Sequence, residues 1–195
     1  MLQFITDLNS GYSAAEQAQM FGEAGGMWIQ LSTSRDNPDL RDEVMQIMEI
    51  AKGEDSFLIL DHDVELVNEL KVHGVHLAPG DMLPAEAREL LGPHAVIGVS
   101  VRTAPEVIAL KKADIDYVHI GPYPDVSVED YSKIVEEVRG AGVEIPIVAT
   151  GRIGIEDIPV LMETGISGIA MCAEPLKSEN PVEYFRSALA AINRR

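Results

Sequence analysis

Cysteine is almost absent from the chain, which contains only Cys172. One thiol cannot close an internal disulfide bond, and a zinc site built from several cysteines is excluded for the same reason. Such scarcity is typical of proteins in the reducing cytoplasm. The opening segment, MLQFITDLNS, lacks the basic region and the cleavage site of a signal peptide. We therefore expect a cytoplasmic protein without a signal peptide.

Positive charge is also scarce. Lysine and arginine together number 15 against 32 aspartates and glutamates, which gives a formal net charge of −17. A chain this acidic repels the phosphates of nucleic acids and of anionic membranes, so we expect neither as a partner. A phosphorylated ligand would need a local pocket that is positively charged or rich in backbone amides.

Long apolar runs are missing as well. The longest are the length of a β-strand, so we expect no transmembrane helix. Eight such runs alternate with eight amphipathic segments. The strand candidates are residues 2–6, 27–31, 57–60, 74–77, 96–101, 117–120, 147–150 and 168–172. The helix candidates are residues 13–24, 39–52, 64–72, 84–91, 104–113, 127–141, 155–163 and 181–193. This alternation predicts an α/β fold, a (β/α)₈ TIM barrel formed by a single domain over residues 1–195.

The alternative fold is an open, doubly wound sheet. That fold would need a glycine-rich turn after the first strand, whereas residues 6–11 read TDLNSG. This segment is not a dinucleotide fingerprint, and we expect no organic cofactor.

The strongest local signal for chemistry is the segment TGRIG at residues 150–154. Barrels frequently bind phosphate with the loops that follow strands seven and eight. Gly151 and Gly154 would let backbone amides approach the anion, and Arg152 would add a guanidinium contact. The alternative is a tight turn with an exposed arginine. Glu174, just after the eighth strand, would weaken an anion site.

A second candidate site is acidic. Asp61, His62 and Asp63 follow the third strand, and Asp81 follows the fourth. Oxygen ligands at adjacent strand ends are suited to Mg²⁺. Asp63 is more simply interpreted as a helix N-cap, and Asp81 is also a capping candidate.

Two histidines, His76 and His119, lie within the fourth and sixth strands. Histidine inside a barrel strand is more often a packing residue with satisfied hydrogen bonds than a catalyst. Acid–base chemistry is the alternative role.

Several motifs, in this order and spacing, resemble thiamine phosphate synthase and the related thiazole tautomerases. They are FLILDHDVEL, GVHLAPGD, IGVSVRT, ADIDYVHIGP and IPIVATGRI. The resemblance extends from FITD at the first strand to GIAMC at the eighth and implies a (β/α)₈ barrel, which agrees with the alternation. It also implies a transferase of thiamine biosynthesis that joins an aminopyrimidine carried on a pyrophosphate to a thiazole phosphate, with Mg²⁺ assisting. The expected partner is a small phosphorylated heterocycle, and a homodimer is plausible on the same basis.

The chain departs from the family pattern where that pattern binds pyrophosphate. In the strand-two motif the family's arginine and lysine are replaced by Ser32 and Ser34, although Gln30 is kept. The loop at residues 122–127 lacks the family's lysine. Loss of three such cations would strongly impair a synthase unless Arg35 and Arg102 replace them.

The remaining family positions define the predicted site. The resemblance assigns Asp81 and His62 to the metal, and Ser100 to the pyrimidine. Cys172 and Ala173 stand near the serine that usually follows strand eight. The catalytic candidates are Ser100, Arg102 and His119. The substrate-binding candidates are Gln30, Ser32, Arg35, Asp61 and His76. The phosphate-binding candidates are Gly151, Arg152, Gly154, Cys172 and Ala173.

We therefore expect a barrel that binds a thiazole phosphate-type ligand and whose synthase activity is impaired. One alternative is a thiazole tautomerase, which needs no pyrophosphate. The family's tautomerase histidine corresponds to Arg102 here, so His119 or His76 would have to act instead. The other alternative is a non-catalytic protein that binds a phosphorylated ligand.

Overall fold

A computed structural model describes residues 1–34 and 37–193. Eight parallel strands in the described residues close into a barrel in sequence order, with β1 paired to both β2 and β8. The strands are β1 (Leu2–Ile5), β2 (Trp28–Leu31), β3 (Phe57–Asp61), β4 (Gly74–Leu77), β5 (Val96–Val101), β6 (Tyr117–Tyr123), β7 (Ile147–Gly151) and β8 (Gly168–Met171). The predicted (β/α)₈ barrel is confirmed.

Helices formed by the described residues surround the barrel. They are α1 (Ala14–Glu23), α2 (Leu40–Gly53), α3 (Val64–Leu70), α4 (Pro84–Leu91), α5 (Ala104–Ala109), α6 (Val128–Gly140), α7 (Ile158–Glu163), α8 (Ala173–Leu176) and α9 (Pro181–Asn193). None of them is both long enough and apolar enough to cross a membrane.

Local capping determines where several helices begin. The Ser13 hydroxyl accepts a hydrogen bond from the Glu16 amide at the start of α1, and the Glu16 carboxylate accepts one from the Ser13 amide, which completes a capping box. The Asp63 carboxylate accepts from the Leu66 amide at 2.9 Å, so its interpretation as the N-cap of α3 is confirmed.

An aromatic cluster packs α1 and α9 against β1. Phe4 of β1, Phe21 of α1 and Phe185 of α9 are fully buried, with ring centroids 4.8–5.5 Å apart. The chain has only four phenylalanines, and three of them lie in this cluster. Burial of large rings at tilted and edge-on angles stabilises the contact between α9 and the barrel wall.

Candidate active site

A chain of hydrogen-bonded polar side chains crosses the interior of the barrel. Gln3 Nε2 donates to Gln30 Oε1 at 2.8 Å and to the Tyr117 hydroxyl at 3.1 Å. Gln3 Oε1 lies 2.8 Å from His119 Nε2. The Tyr117 hydroxyl lies 3.1 Å from His76 Nδ1. All five side chains are buried, and since each has a polar partner the cost of removing it from water is offset.

This interior chain has two ends at the carboxyl side of the barrel. At one end, Gln30 Nε2 donates to Asp61 Oδ1 at 2.7 Å. At the other end, His76 Nε2 lies 2.8 Å from Ser100 Oγ. Asp61 ends β3 and Ser100 lies near the end of β5, so both groups face the strand ends, where barrel enzymes place their chemistry.

Burial strongly affects the ionisation of these groups. Removal from water raises the pKa of Asp61 to about 6, although His62 and the hydrogen bonds from Gln30 and Ser32 oppose the shift. Burial lowers the pKa of His76 to about 3 and that of His119 well below its ordinary value. At neutral pH both interior histidines are therefore uncharged.

A cavity of about 570 Å³ opens above β3 and β4. Its walls are acidic. The lining residues are Thr33, Leu40, Asp61, His62, Asp63, Glu65, Gly80, Asp81, Met82 and Glu86. A neighbouring cavity of about 300 Å³ shares Gly80, Asp81 and Met82 with it and reaches Ser100. The two cavities bring Asp61, Asp81 and Ser100 to one side of the barrel mouth.

His62 and Asp81 form a close pair in this acidic wall. His62 Nδ1 lies 2.6 Å from Asp81 Oδ2, and the same carboxylate oxygen accepts from the Ala78 amide at 2.7 Å. His62 adopts the left-handed backbone conformation, with φ at 67°. The described residues bring no three His, Cys, Asp or Glu side chains together in positions suited to one metal ion.

The turn after β7 lies opposite β3 in the closed barrel, four strands away. Gly151 has φ at +133°, and a Cβ there would lie 2.3 Å from the Tyr123 nitrogen, so this position requires glycine. The Arg152 amide donates to the Tyr123 carbonyl at 2.9 Å. The Gly154 amide donates to the Asp157 carboxylate at 2.8 Å. Two of the backbone donors considered for phosphate are therefore already used, whereas the Arg152 side chain is exposed.

The end of β8 supplies the remaining predicted phosphate residues. Cys172 is partly buried, and burial raises the pKa of its thiol to about 11, so the thiol is neutral. Ala173 begins the short helix α8. Glu174 forms an ion pair with Lys177, which partly neutralises the negative charge that would weaken an anion site.

Arg102, one of the two predicted replacements for the missing cations, lies away from the acidic cavity. Arg102 is exposed and lines a separate cavity of about 350 Å³ between α5 and α6, together with Asp125 and Lys133. It does not line the cavities that contain Asp61, Asp81 and Ser100. Arg35 lies outside the described residues.

Gln3 and Tyr117 belong to the interior chain but were not among the predicted site residues. The signal for Gln3 is a polar side chain in the middle of the apolar run LQFI. Tyr117 begins the strand YVHIGPY, and tyrosine is common in β-strands, so its presence there gives no sign of a special role. The sequence does not indicate that its hydroxyl is directed to the barrel axis.

A closed parallel barrel with polar groups gathered at its strand ends defines an α/β barrel of the kind that carries small-molecule sites. The family model of thiamine monophosphate synthase matches residues 2–174. The chain belongs to this family of thiamine biosynthesis, and the resemblance inferred from the motifs is confirmed.

Individual relatives agree with the family match. The thiamine-phosphate synthase of Bacteroides fragilis is 40% identical over 199 residues, covering 96% of this chain and 98% of that protein. The thiamine-phosphate synthase of Bacteroides thetaiotaomicron is 36% identical, covering 96% of this chain and 95% of that protein. The structure of a thiamine phosphate pyrophosphorylase from Pyrococcus furiosus superposes with a TM-score of 0.86 at 26% identity, covering 98% of this chain and 94% of that one.

Proposed function

We propose that the chain binds a small heterocyclic monophosphate of the thiazole phosphate type at the carboxyl mouth of the barrel, and that it is a slow synthase. The observation that carries the proposal is the electrostatic division of the mouth. Carboxylates line the cavity at β3 and β4, whereas Arg152 stands at the opposite turn after β7. A ligand with one phosphate can place its charge near Arg152 and its ring over Asp61 and Ser100, which form the polar floor of the mouth.

The polar floor supplies contacts for a heteroaromatic ring. The Ser100 hydroxyl can donate to a ring nitrogen, and the Asp61 carboxylate can accept from a ring substituent. Both groups are held by buried partners, His76 and Gln30, so they are oriented before a ligand arrives. The role of these residues in the proposal is to bind and orient the ring.

A pyrophosphate is less suited to this mouth. The acidic cavity is lined by five carboxylates and His62, and no lysine or arginine of the described residues lines it. Negative charge on a leaving group must be stabilised by donors fixed in advance, and loss of a single such donor costs about 10²–10³ in rate. We therefore expect slow transfer of the aminopyrimidine.

Mg²⁺, which the family resemblance implies, does not fit the described residues. The Asp81 oxygen that faces His62 already accepts two hydrogen bonds, and His62 stands where the family has a carboxylate. Mg²⁺ requires near-octahedral oxygen ligation. The ion has no part in the binding that we propose.

Replacement of His62 by aspartate should create magnesium affinity. Aspartate tolerates the left-handed conformation found at this position, and it would place a second carboxylate beside Asp81. We expect His62→Asp to bind Mg²⁺ at least about tenfold more tightly than the unchanged protein in calorimetric titrations. The control is His94→Asp at an exposed histidine remote from the mouth. Equal Mg²⁺ affinity in both variants would show that Asp81 is not available to an added metal.

The phosphate side of the proposal is tested at Arg152. We expect Arg152→Ala to weaken thiazole phosphate about tenfold, because a charge-assisted hydrogen bond is lost, and to leave the affinity for the unphosphorylated thiazole alcohol unchanged. The matched control is Arg186→Ala, an exposed arginine of α9 whose guanidinium contacts the carbonyl of Glu23 at the far end of α1. If Arg152→Ala lost equal affinity for thiazole phosphate and for the thiazole alcohol, the phosphate would not be bound by Arg152.

A second candidate function is ordinary synthase activity. The specific observation in its favour is 40% identity to a thiamine-phosphate synthase over nearly the whole chain. A tautomerase is less well supported, since His119 is buried against Gln3 and His76 reaches the mouth only through Ser100. Cytoplasmic location and a homodimer stay predictions.

A further inference from the structure

The interior chain of hydrogen bonds runs without interruption from Asp61 to Ser100. Its order is Asp61, Gln30, Gln3, Tyr117, His76 and Ser100, with successive contacts of 2.7, 2.8, 3.1, 3.1 and 2.8 Å. Among the described residues, no buried side-chain nitrogen or oxygen lacks a hydrogen-bond partner. In an uninterrupted chain of hydrogen bonds, each donor needs an acceptor, and this restricts where each hydrogen atom can lie.

The ionised carboxylate of Asp61 fixes the first links, because it can only accept. Gln30 must therefore present its NH₂ group to Asp61 and its carbonyl oxygen to Gln3. Gln3 must then direct its own NH₂ group toward both Gln30 and Tyr117. Gln3 Oε1 remains as the acceptor for His119 Nε2.

The remaining links follow from the single hydrogen of the tyrosine hydroxyl. The Tyr117 oxygen accepts from Gln3, so its own hydrogen is available for His76 Nδ1. Nδ1 then carries no hydrogen. The single ring hydrogen of neutral His76 is therefore on Nε2, which lies 2.8 Å from Ser100 Oγ. Ser100 accepts from His76, and its hydroxyl hydrogen is left to point into the mouth.

We propose that Gln3 and Tyr117 are positioning residues that hold His76 in the Nε2-protonated tautomer and so make Ser100 a hydrogen-bond donor to the ligand. The inference rests on the proposed function only in requiring that Ser100 meets a ligand. The ligand group that Ser100 recognises is an acceptor, such as an unprotonated ring nitrogen.

The tautomer is measured directly by NMR of protein labelled with ¹⁵N-histidine at pH 8, where the two ring nitrogens differ according to which one carries hydrogen. His76→Gln identifies the His76 signals among the five histidines. We expect one tautomer in the unchanged protein, with hydrogen on Nε2. Tyr117→Phe removes the donor to Nδ1 and should produce a mixture of tautomers.

Ligand affinity gives a second readout. Tyr117→Phe should weaken thiazole phosphate by roughly fivefold to tenfold, and it should cause no further loss when Ser100→Ala is already present. The matched control is Tyr131→Phe. It removes another buried hydroxyl, which donates to the Ile120 carbonyl at 2.7 Å outside the chain. This control should leave both the tautomer and the affinity unchanged.

The outcomes separate this inference from the proposed function. Hydrogen on Nδ1 of His76 in the unchanged protein, or an unaltered tautomer in a folded Tyr117→Phe variant, would overturn the positioning role whatever the ligand does. A single Nε2 tautomer that is lost in Tyr117→Phe, in a protein that does not bind thiazole phosphate, would support the positioning role and contradict the proposed function.

Discussion

Replacement of Asp61 by asparagine and of His76 by glutamine should change the acid stability of the protein in opposite directions. Asp61 lies at one end of the interior chain and His76 lies next to its other end, Ser100. Burial shifts the pKa values of Asp61 and His76 in opposite directions. The quantity compared is the free energy of unfolding at pH 7.5 minus that at pH 4.5.

The folded pKa of Asp61, about 6, lies above the ordinary carboxyl value of about 3.9. Between these values the folded protein binds more protons than the unfolded chain, so this group adds stability as the pH falls. The gain between pH 7.5 and pH 4.5 is about 2 kcal/mol. Asp61→Asn removes it, and the variant should lose more stability in acid than the unchanged protein does.

The folded pKa of His76, about 3, lies below the ordinary histidine value of about 6.5. Between these values the unfolded chain binds more protons, so this group removes stability as the pH falls through 6.5. The loss at pH 4.5 is about 3 kcal/mol. His76→Gln removes that loss, and the variant should lose less stability in acid. His119 acts in the same direction as His76.

Urea unfolding of the two variants at both pH values measures the difference. We expect the two acid-induced changes to differ by about 5 kcal/mol, with the unchanged protein between them. Surface carboxylates contribute equally to the acid-induced change in the free energy of unfolding of all three proteins, so their contribution cancels when the proteins are compared. His94→Gln, at an exposed histidine, is the control and should follow the unchanged protein. Equal acid sensitivity in both variants would mean that these side chains are not buried as described.

Restoration of the family's cations should produce a large gain in synthase activity. The resemblance to the family assigns Ser32 and Ser34 to the positions of an arginine and a lysine. Both serines follow β2, beside Thr33, which lines the acidic cavity. Ser32 is half-buried and Ser34 is exposed, so the longer side chains have room to extend toward the mouth. We expect the double variant Ser32→Arg, Ser34→Lys to raise kcat/KM by about 10²-fold or more, because donors for the leaving pyrophosphate are restored.

The matched control adds the same charges to the outer helices through Gln19→Arg and Ser132→Lys, both at exposed positions. This control changes the net charge equally without placing a cation at the mouth. The measured quantity is the rate of thiamine phosphate formation. A similar gain in the control would assign the effect to overall charge, and no gain in the mouth variant would show that the missing cations do not limit the reaction.

Much of the barrel could be predicted because its strands are buried on both faces and therefore appear as continuous apolar runs. The sixth strand was predicted to end at residue 120 but continues to Tyr123, with a register shift after Ile120. Two prolines at residues 122 and 124 made this segment resemble a loop. Helix α8 was not predicted, since four residues form a single turn and show no periodicity.

The chemistry at the mouth was only partly predictable. Strand ends identified Asp61, Asp81 and Ser100, because parallel strands bring such positions to one face. The interior partners Gln3 and Tyr117 were missed because a partner is determined by strand register across the barrel. The hydrogen bond from the Gly154 amide to the Asp157 carboxylate is local, and it was missed although the two residues have the three-residue spacing of a capping box.

Two measurements on one purified sample test the proposed function most directly. Calorimetry measures binding of thiazole phosphate, and mass spectrometry follows thiamine phosphate formed from the aminopyrimidine pyrophosphate, thiazole phosphate and Mg²⁺. The proposed function predicts saturable binding together with turnover at least about 100-fold below the roughly 10 s⁻¹ of a typical enzyme. Turnover near 10 s⁻¹ would contradict it and would show that the chain is an ordinary synthase despite its acidic mouth.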